Sequence, residues 1–306
     1  MAVAIARDEA AAVAPLDATL DVACRRLDLR VPSPYRSLLD HPAYLPFVVQ
    51  PDRPDARLHL VQVEASELDP AWAEMGKRRG EPFAEHPILN CPVVEQRYRL
   101  RRENELFLLG PAMVSFLDPS TWTMECFSFE PSDAVRLARH QLLFLLSSLL
   151  VATRGGLLHG SGFVIDGVAA AVIGPSDAGK TTVARLVRGD RLLSDDMVAV
   201  TDLDGQPTLH ATPFGRESDG VGSAPLRAIF FPRKHSAFSL QPLTARQALI
   251  RSAAEQADTF QGLFAPYGGM AIRNLGRLFR KVPAYELGFS LDRIDREAIR
   301  RVLSGS

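Results

Sequence analysis

Four residues could handle phosphate chemistry: Gly174, Gly179, Lys180 and Thr181, within "GPSDAGKTT" (174–182). The spacing is G-x-x-x-x-G-K-T. It follows a short apolar run, "AAAVI" (169–173), and leads into "KTTVARLVR" (180–188), which has helical character. In that setting two glycines permit a tight turn whose backbone N–H groups, from Ser176, Ala178 and their neighbours through Thr182, point at phosphate oxygens. The helix start adds partial positive charge. Lys180 would reach the terminal phosphates of a nucleotide and Thr181 would offer a hydroxyl to Mg²⁺. Lysine is scarce in this arginine-rich chain (Lys77, Lys180, Lys234 and Lys281 only), yet one sits at the critical position.

Asp177 stands where such loops often carry glycine. An inward carboxylate would repel phosphate in a shielded site. The expectation is an outward side chain at the loop tip with its N–H still serving the cradle; a weakened site and a direct role for the carboxylate stay open. Fifteen residues past Lys180 comes "LLSDD", an apolar strand ending in Asp195 and Asp196. One carboxylate could hold Mg²⁺ and another accept a proton from an attacking hydroxyl. Upstream, His159 in "LLHGSG" is expected near the end of an adjacent strand, where it could orient a carboxylate or shuttle a proton.

The elements that must position these groups are read from periodicity. "GLLHGSGFVI" and "VAAAVI" flank Asp166-Gly167, a two-residue hairpin signal. "RLLSDDMVAVTD" predicts one further strand, "PTLHATP" another, and "LRAIFF" (226–231) a buried one. Helices are expected over "TARQALIRSAAEQ", over "TFQGLFAPYGGMAIRNLGRLFRKV" with a break near 266–269, and over "DRIDREAIRRVL". Before them, residues 1 to about 25 read as a loosely ordered lead-in. "RLHLVQV" (57–63) and "TWTMECFSFE" (121–130) alternate like strands, and 97–110 suggests a hairpin whose first strand has a basic, solvated face. A helix over 131–156, with Ser132 as N-cap and Gly155-Gly156 as stop, carries the junction at about 140–155. Two units follow: a smaller α+β unit over 1–145 that selects a substrate or partner, and an α/β nucleotide-binding unit over 146–306. Trp72 and Trp122 are expected in packing.

The chain has 306 residues, a net charge of −1 and 46% hydrophobic residues. Nothing in that balance calls for nucleic acid or an anionic membrane. Cys24, Cys91 and Cys126 are widely spaced, without a C-x-x-C, which fits a reducing cytoplasm and argues against a disulfide framework. "LLFLLSSLLVA" (142–152) is too short to span a bilayer. The N-terminus is broken by Arg7, Asp8 and Glu9 and does not read as a signal peptide.

The series "LHGSGFVIDG", "GPSDAGKTT", "LLSDD", "TPFGRE" and "PLRAIFF" resembles the catalytic domain of HPr kinase/phosphorylase and its relatives. That domain is itself similar to the nucleotide-binding core of phosphoenolpyruvate carboxykinase. The resemblance covers about 155–250 and loosely the rest. It implies an α/β P-loop kinase domain using ATP and Mg²⁺ to phosphorylate a serine- or threonine-type hydroxyl of a peptide, protein or small metabolite. It also leaves room for a homo-oligomer. By it His159, Asp195, Asp196 and Lys180 are catalytic: Asp195 is the first choice for general base, and Asp196, with Thr181, for the metal, though the two aspartates could be exchanged. Arg216 would lie on the acceptor side, whereas Arg233, Lys234 and His235 read as a solvated strand end. The family's downstream glycine-rich signature is not recognisable, so HPr itself is not the expected acceptor. A second reading uses the same site in a catalytically weak ATP-binding regulatory or assembly protein.

Overall fold

The structure is a computed structural model and describes residues 16–32, 37–63, 92–110, 113–128, 134–187, 189–256, 265–290 and 294–305. It is a mixed α/β fold containing two sheets. The first has seven strands: β1 (Leu16–Val22), β2 (Arg25–Val31), β3 (Val48–Val49), β4 (Ala56–Gln62), β5 (Leu106–Gly110), β6 (Met113–Asp118) and β7 (Thr123–Ser128), in the order β3-β1-β2-β4-β7-β6-β5. β2, β4 and β7 run parallel to one another, and the other pairs are antiparallel.

Two expectations for this half are corrected. The lead-in ends earlier than read, because β1 and β2 already pair from residue 16. Their turn is Ala23-Cys24, both at positive φ (54° and 58°). That is the backbone of a tight hairpin turn made without the glycine or asparagine that would advertise it. The expected basic strand near 97 is instead the end of helix α1 (Pro92–Arg99). Arg97 is not solvated: it donates to Glu105 (2.7 and 3.0 Å) and Glu125 (2.6 Å), and stacks on Phe116 at 4.5 Å. Ser132, Trp72 and Cys91 lie outside the described residues. Trp122 packs on Tyr267, ring centres 5.7 Å apart.

Helix α2 (Ala134–Ala152) leads into the second sheet. There β8 (Gly156–Ile165) and β9 (Val168–Ile173) form a hairpin through Asp166-Gly167, at φ 51° and 77°. Helix α3 (Lys180–Val187) follows, then β10 (Arg191–Ser194), β11 (Met197–Thr201), β12 (Thr208–His210), β13 (Ser223–Lys234) and β14 (Ser239–Leu243). Helices α4 (Ala245–Glu255) and α5 (Ala265–Lys281), strand β15 (Ala284–Phe289) and helix α6 (Arg296–Ser304) complete it. Helix α5 runs through 266–269 without the expected break. Pro266 falls in its first turn, where the missing N–H would have had no helical partner.

The expected strand over 191–202 is two strands. β10 and β11 lie end to end along one edge of β8, and Asp195-Asp196 fill the gap between them. The other edge of β8 carries β9, which runs parallel to β13. Both faces of β9 are covered: Ala169, Ala171 and Ile173 face one hydrophobic cluster, and Ala170 and Val172 another. Helix α3 lies in the second cluster through Val183, Ala184 and Val187, with Phe163, Phe230 and Phe289. The first is larger. It joins Leu20, Leu58 and Met124 of the first sheet to Leu145 and Leu149 of α2 and to Leu157 and Ile229 of the second sheet. Among the described residues no helix is long and apolar enough to cross a membrane.

Candidate active site

Strand β9 ends at Ile173, and the loop 174–179 turns the chain into α3. Asp177 takes φ 62° and Gly179 φ 97°. The loop therefore keeps a left-handed residue where glycine is common, and aspartate tolerates that conformation better than most side chains. Ser176 and Asp177 are exposed, so the carboxylate lies at the tip. Gly179 has a second constraint: a Cβ there would sit 2.5 Å from Cζ of buried Phe289. Ala178 N–H donates to Pro175 O (3.2 Å) and Val183 N–H to Gly179 O (2.8 Å), closing the turn onto the helix.

Lys180 is 8% exposed, and its Nζ donates to Gly174 O and Pro175 O, both at 2.9 Å. Burial lowers its pKa, while the carboxylates of Asp196, Glu255 and Asp177 act in the opposite sense. The ammonium thus rests on the loop's own carbonyls, close to where phosphate oxygens would offer stronger, charge-assisted partners. Thr181 Oγ1 donates to Asp195 O at 3.3 Å, which ties the start of α3 to the strand break. Thr182 follows within the first turn, half-buried.

The two aspartates are chemically distinct. Asp195 is 8% exposed, and its Oδ1 accepts from the N–H groups of Arg216 (2.8 Å) and Glu217 (3.0 Å). Its own N–H donates to Glu217 O (3.1 Å), and its carbonyl accepts from buried Ser161 (2.8 Å). It builds the wall formed by residues 214–217. Asp196 is half-buried, with its carboxylate open to solvent on one side. Its Oδ1 lies 3.2 Å from His159 Nε2 and its Oδ2 lies 3.9 Å from Arg139 Nη2. The His159 hydrogen bond lowers its pKa most, with further help from His159, Arg139 and Lys180 as charges, against the opposing effect of burial.

Sequence reasoning missed two residues here. Arg139, from α2, also donates through Nη2 to Phe214 O. Phe214 is fully buried edge-on against Tyr44 of the first half, ring centres 6.5 Å apart. Gln256, fully buried at the end of α4, accepts from His159 N–H (2.7 Å) and donates to His159 O (3.1 Å). His159 faces Met197 across β8 and β11, and β9 pairs only from Gly160 onward. The Gln256 amide therefore supplies the ladder that a strand would otherwise provide. Neither residue has a local motif; both act through contacts distant in sequence.

The remaining candidates lie further out. The Arg216 side chain is exposed, and only its backbone is tied to Asp195. Arg233 pairs with Glu286 at 3.2 Å, while Lys234 and His235 are exposed at the end of β13. Lys180, His159 and Arg139 converge on Asp196, and Asp177 acts on Lys180 from the loop tip.

No protein-family model and no curated protein matches the chain. Among solved structures, that of the Hpr(Ser) kinase/phosphatase from Coxiella burnetii is a distant match. It shares 9% identity over 49% of this chain and 94% of that chain, with a TM-score of 0.27.

Proposed function

We propose that the protein is an ATP- and Mg²⁺-dependent phosphotransferase acting on a hydroxyl, with its catalytic unit in residues 146–306 and an acceptor-selecting unit in 1–145. The observation that carries this reading is the convergence of Lys180 of a strand–loop–helix turn with the His159–Asp196 pair. The loop N–H groups and the start of α3 receive the phosphates. Lys180 leaves the Gly174 and Pro175 carbonyls for the terminal phosphate oxygens. Thr181 and Asp195, joined through Thr181 Oγ1 and the Asp195 carbonyl, are the oxygen-bearing residues that would hold Mg²⁺ and leave Asp196 for the acceptor. Bound Mg²⁺ supplies charge neutralisation of the β- and γ-phosphates.

Asp196, rather than Asp195, is the base in this reading, because the Oδ1 of Asp195 is committed to the 216–217 backbone. The acceptor oxygen bonds to the γ-phosphorus, the β–γ bridging bond breaks, and ADP departs with its electron pair. The hydroxyl proton passes to Asp196, whose orientation His159 fixes. With a depressed pKa Asp196 is ionised at neutral pH, as a proton acceptor must be.

Calorimetric titration with Mg-ATP tests the site. The wild type should bind with micromolar affinity and Lys180→Ala should not. Asp196→Asn should keep the nucleotide but lose transfer. Absence of binding to the wild type would end the phosphotransfer reading. Mg-ATP binding by the wild type without transfer to any hydroxyl acceptor would favour an ATP-binding regulatory role.

A further inference from the structure

Arg139 and Lys180 approach Asp196 from opposite faces of the second sheet. Lys180 opens α3, which packs through Val183, Ala184 and Val187 on the face bearing Ala170 and Val172. Arg139 belongs to α2, which packs through Ala138, Leu142 and Leu145 on the cluster holding Ala169, Ala171 and Ile173. If the phosphates lie at the start of α3, Arg139 stands on the far side of the base, where an acceptor would enter.

The guanidinium is little used. Nη2 donates to Phe214 O, and its 3.9 Å separation from Asp196 Oδ2 exceeds hydrogen-bond length. Among the described residues its other N–H groups have no partner, and the side chain is 39% exposed beside a 42% exposed carboxylate. A planar fork of donors held at one end and open at the other is matched to a carboxylate.

We infer that Arg139 is a specificity-determining residue that binds a carboxylate of the acceptor, and that the acceptor is an α- or β-hydroxy carboxylate. The spacing sets the class. Where the two hydrogen bonds run side by side from groups 3.9 Å apart, a hydroxyl on Asp196 Oδ2 and a carboxylate on Arg139 place the acceptor's oxygens about 3–5 Å apart. Two or three covalent bonds between the hydroxyl-bearing carbon and the carboxylate oxygens meet that span; a longer chain would have to fold back. The Phe214 contact holds the fork in place, and Tyr44 beneath Phe214 lets the first half of the chain contribute to acceptor choice.

The inference rests on the phosphotransfer reading, so the nucleotide site is measured separately by titration with Mg-ADP. Transfer from Mg-ATP is then followed by ³¹P NMR with the full chain and matched acceptors: N-acetyl-L-serine against N-acetyl-L-serinamide, and glycerate against glyceramide. The acids should be preferred by at least about tenfold in kcat/KM, the order expected for a bidentate charged contact. Arg139→Ala should erase that preference through KM for the acid. Arg139→Lys, which keeps the charge and a donor to Phe214 O but loses the fork, should recover only part of it. Mg-ADP affinity reports whether each variant is folded. With Mg-ADP bound by the wild type, equal use of acid and amide, transfer to neither, or an acid preference that survives in Arg139→Ala overturns the inference. Failure of the wild type to bind Mg-ADP would instead remove the reading beneath it.

Discussion

Gln256→Leu removes the amide that pairs with the His159 backbone while keeping a side chain of similar volume. Two groups lose their partners at once: the His159 N–H, now 2.7 Å from Oε1, and the His159 carbonyl, 3.1 Å from Nε2. Gln256 is fully buried and β9 pairs with β8 only from Gly160, so no strand can take over. An orphaned buried polar group costs about 1–3 kcal/mol. Partial water access to half-buried His159 favours the lower part of that range, giving about 2–4 kcal/mol in all. Urea denaturation should show that loss at unchanged m-value, and hydrogen exchange over 157–165 should quicken at His159 beyond its neighbours. Because His159 Nε2 sets Asp196 Oδ1, transfer activity should fall more than Mg-ADP affinity. A loss under about 1 kcal/mol with unchanged exchange at His159 would refute the view that Gln256 acts as a surrogate strand.

Two further outcomes are expected. His210 is buried against Thr201 (2.8 Å), and burial, aided by the charge of Arg25, lowers its pKa from 6.5 to about 4. Between those values the unfolded chain takes up a proton that the folded chain refuses. Its contribution is full above 6.5 and is lost as pH falls toward 4, about 2 kcal/mol by pH 5. Urea midpoints at pH 7.5 and 5.0 should converge in His210→Phe relative to wild type; an identical acid loss in both would count against the argument. Asp177→Asn keeps a side chain that tolerates φ 62° and removes the exposed charge near Lys180. Mg-ATP should bind about two- to fivefold tighter at low salt, with the gain fading as salt is added. Weaker binding would mean that the carboxylate takes a direct part in the site.

Local chemistry made the glycine-bearing strand–loop–helix turn, the aspartate pair and the Asp166-Gly167 hairpin legible, because each depends on residues a few positions apart. The division of labour between Asp195 and Asp196 was not. It follows from the break between β10 and β11, which turns one carboxylate onto the 216–217 backbone and leaves the other half-exposed beside His159. Continuous strand periodicity gave no sign of that break. The β1–β2 hairpin escaped because its turn, Ala23-Cys24, uses residues that rarely adopt positive φ. Helix α1 was misread because Arg97, taken as solvated, is bound by Glu105 and Glu125 from elements that sequence spacing does not place beside it. Arg139 and Gln256 reach the site across 57 and 97 residues respectively (139 to 196, and 159 to 256).

The continuity of the larger hydrophobic cluster limits how the protein could exclude water from the candidate site. Leu20, Leu58, Leu145, Leu157 and Ile229 belong to one body of apolar side chains spanning both sheets. Swinging the sheets apart would wet that surface, and exposing even about 400 Å² would cost about 10 kcal/mol. Such a cost is comparable to the whole stability of an ordinary domain. Opening and shutting like a clam is therefore closed to this chain. Admission to the site falls to rotations of single side chains and shifts of short segments, such as the release of Lys180 from its two carbonyls.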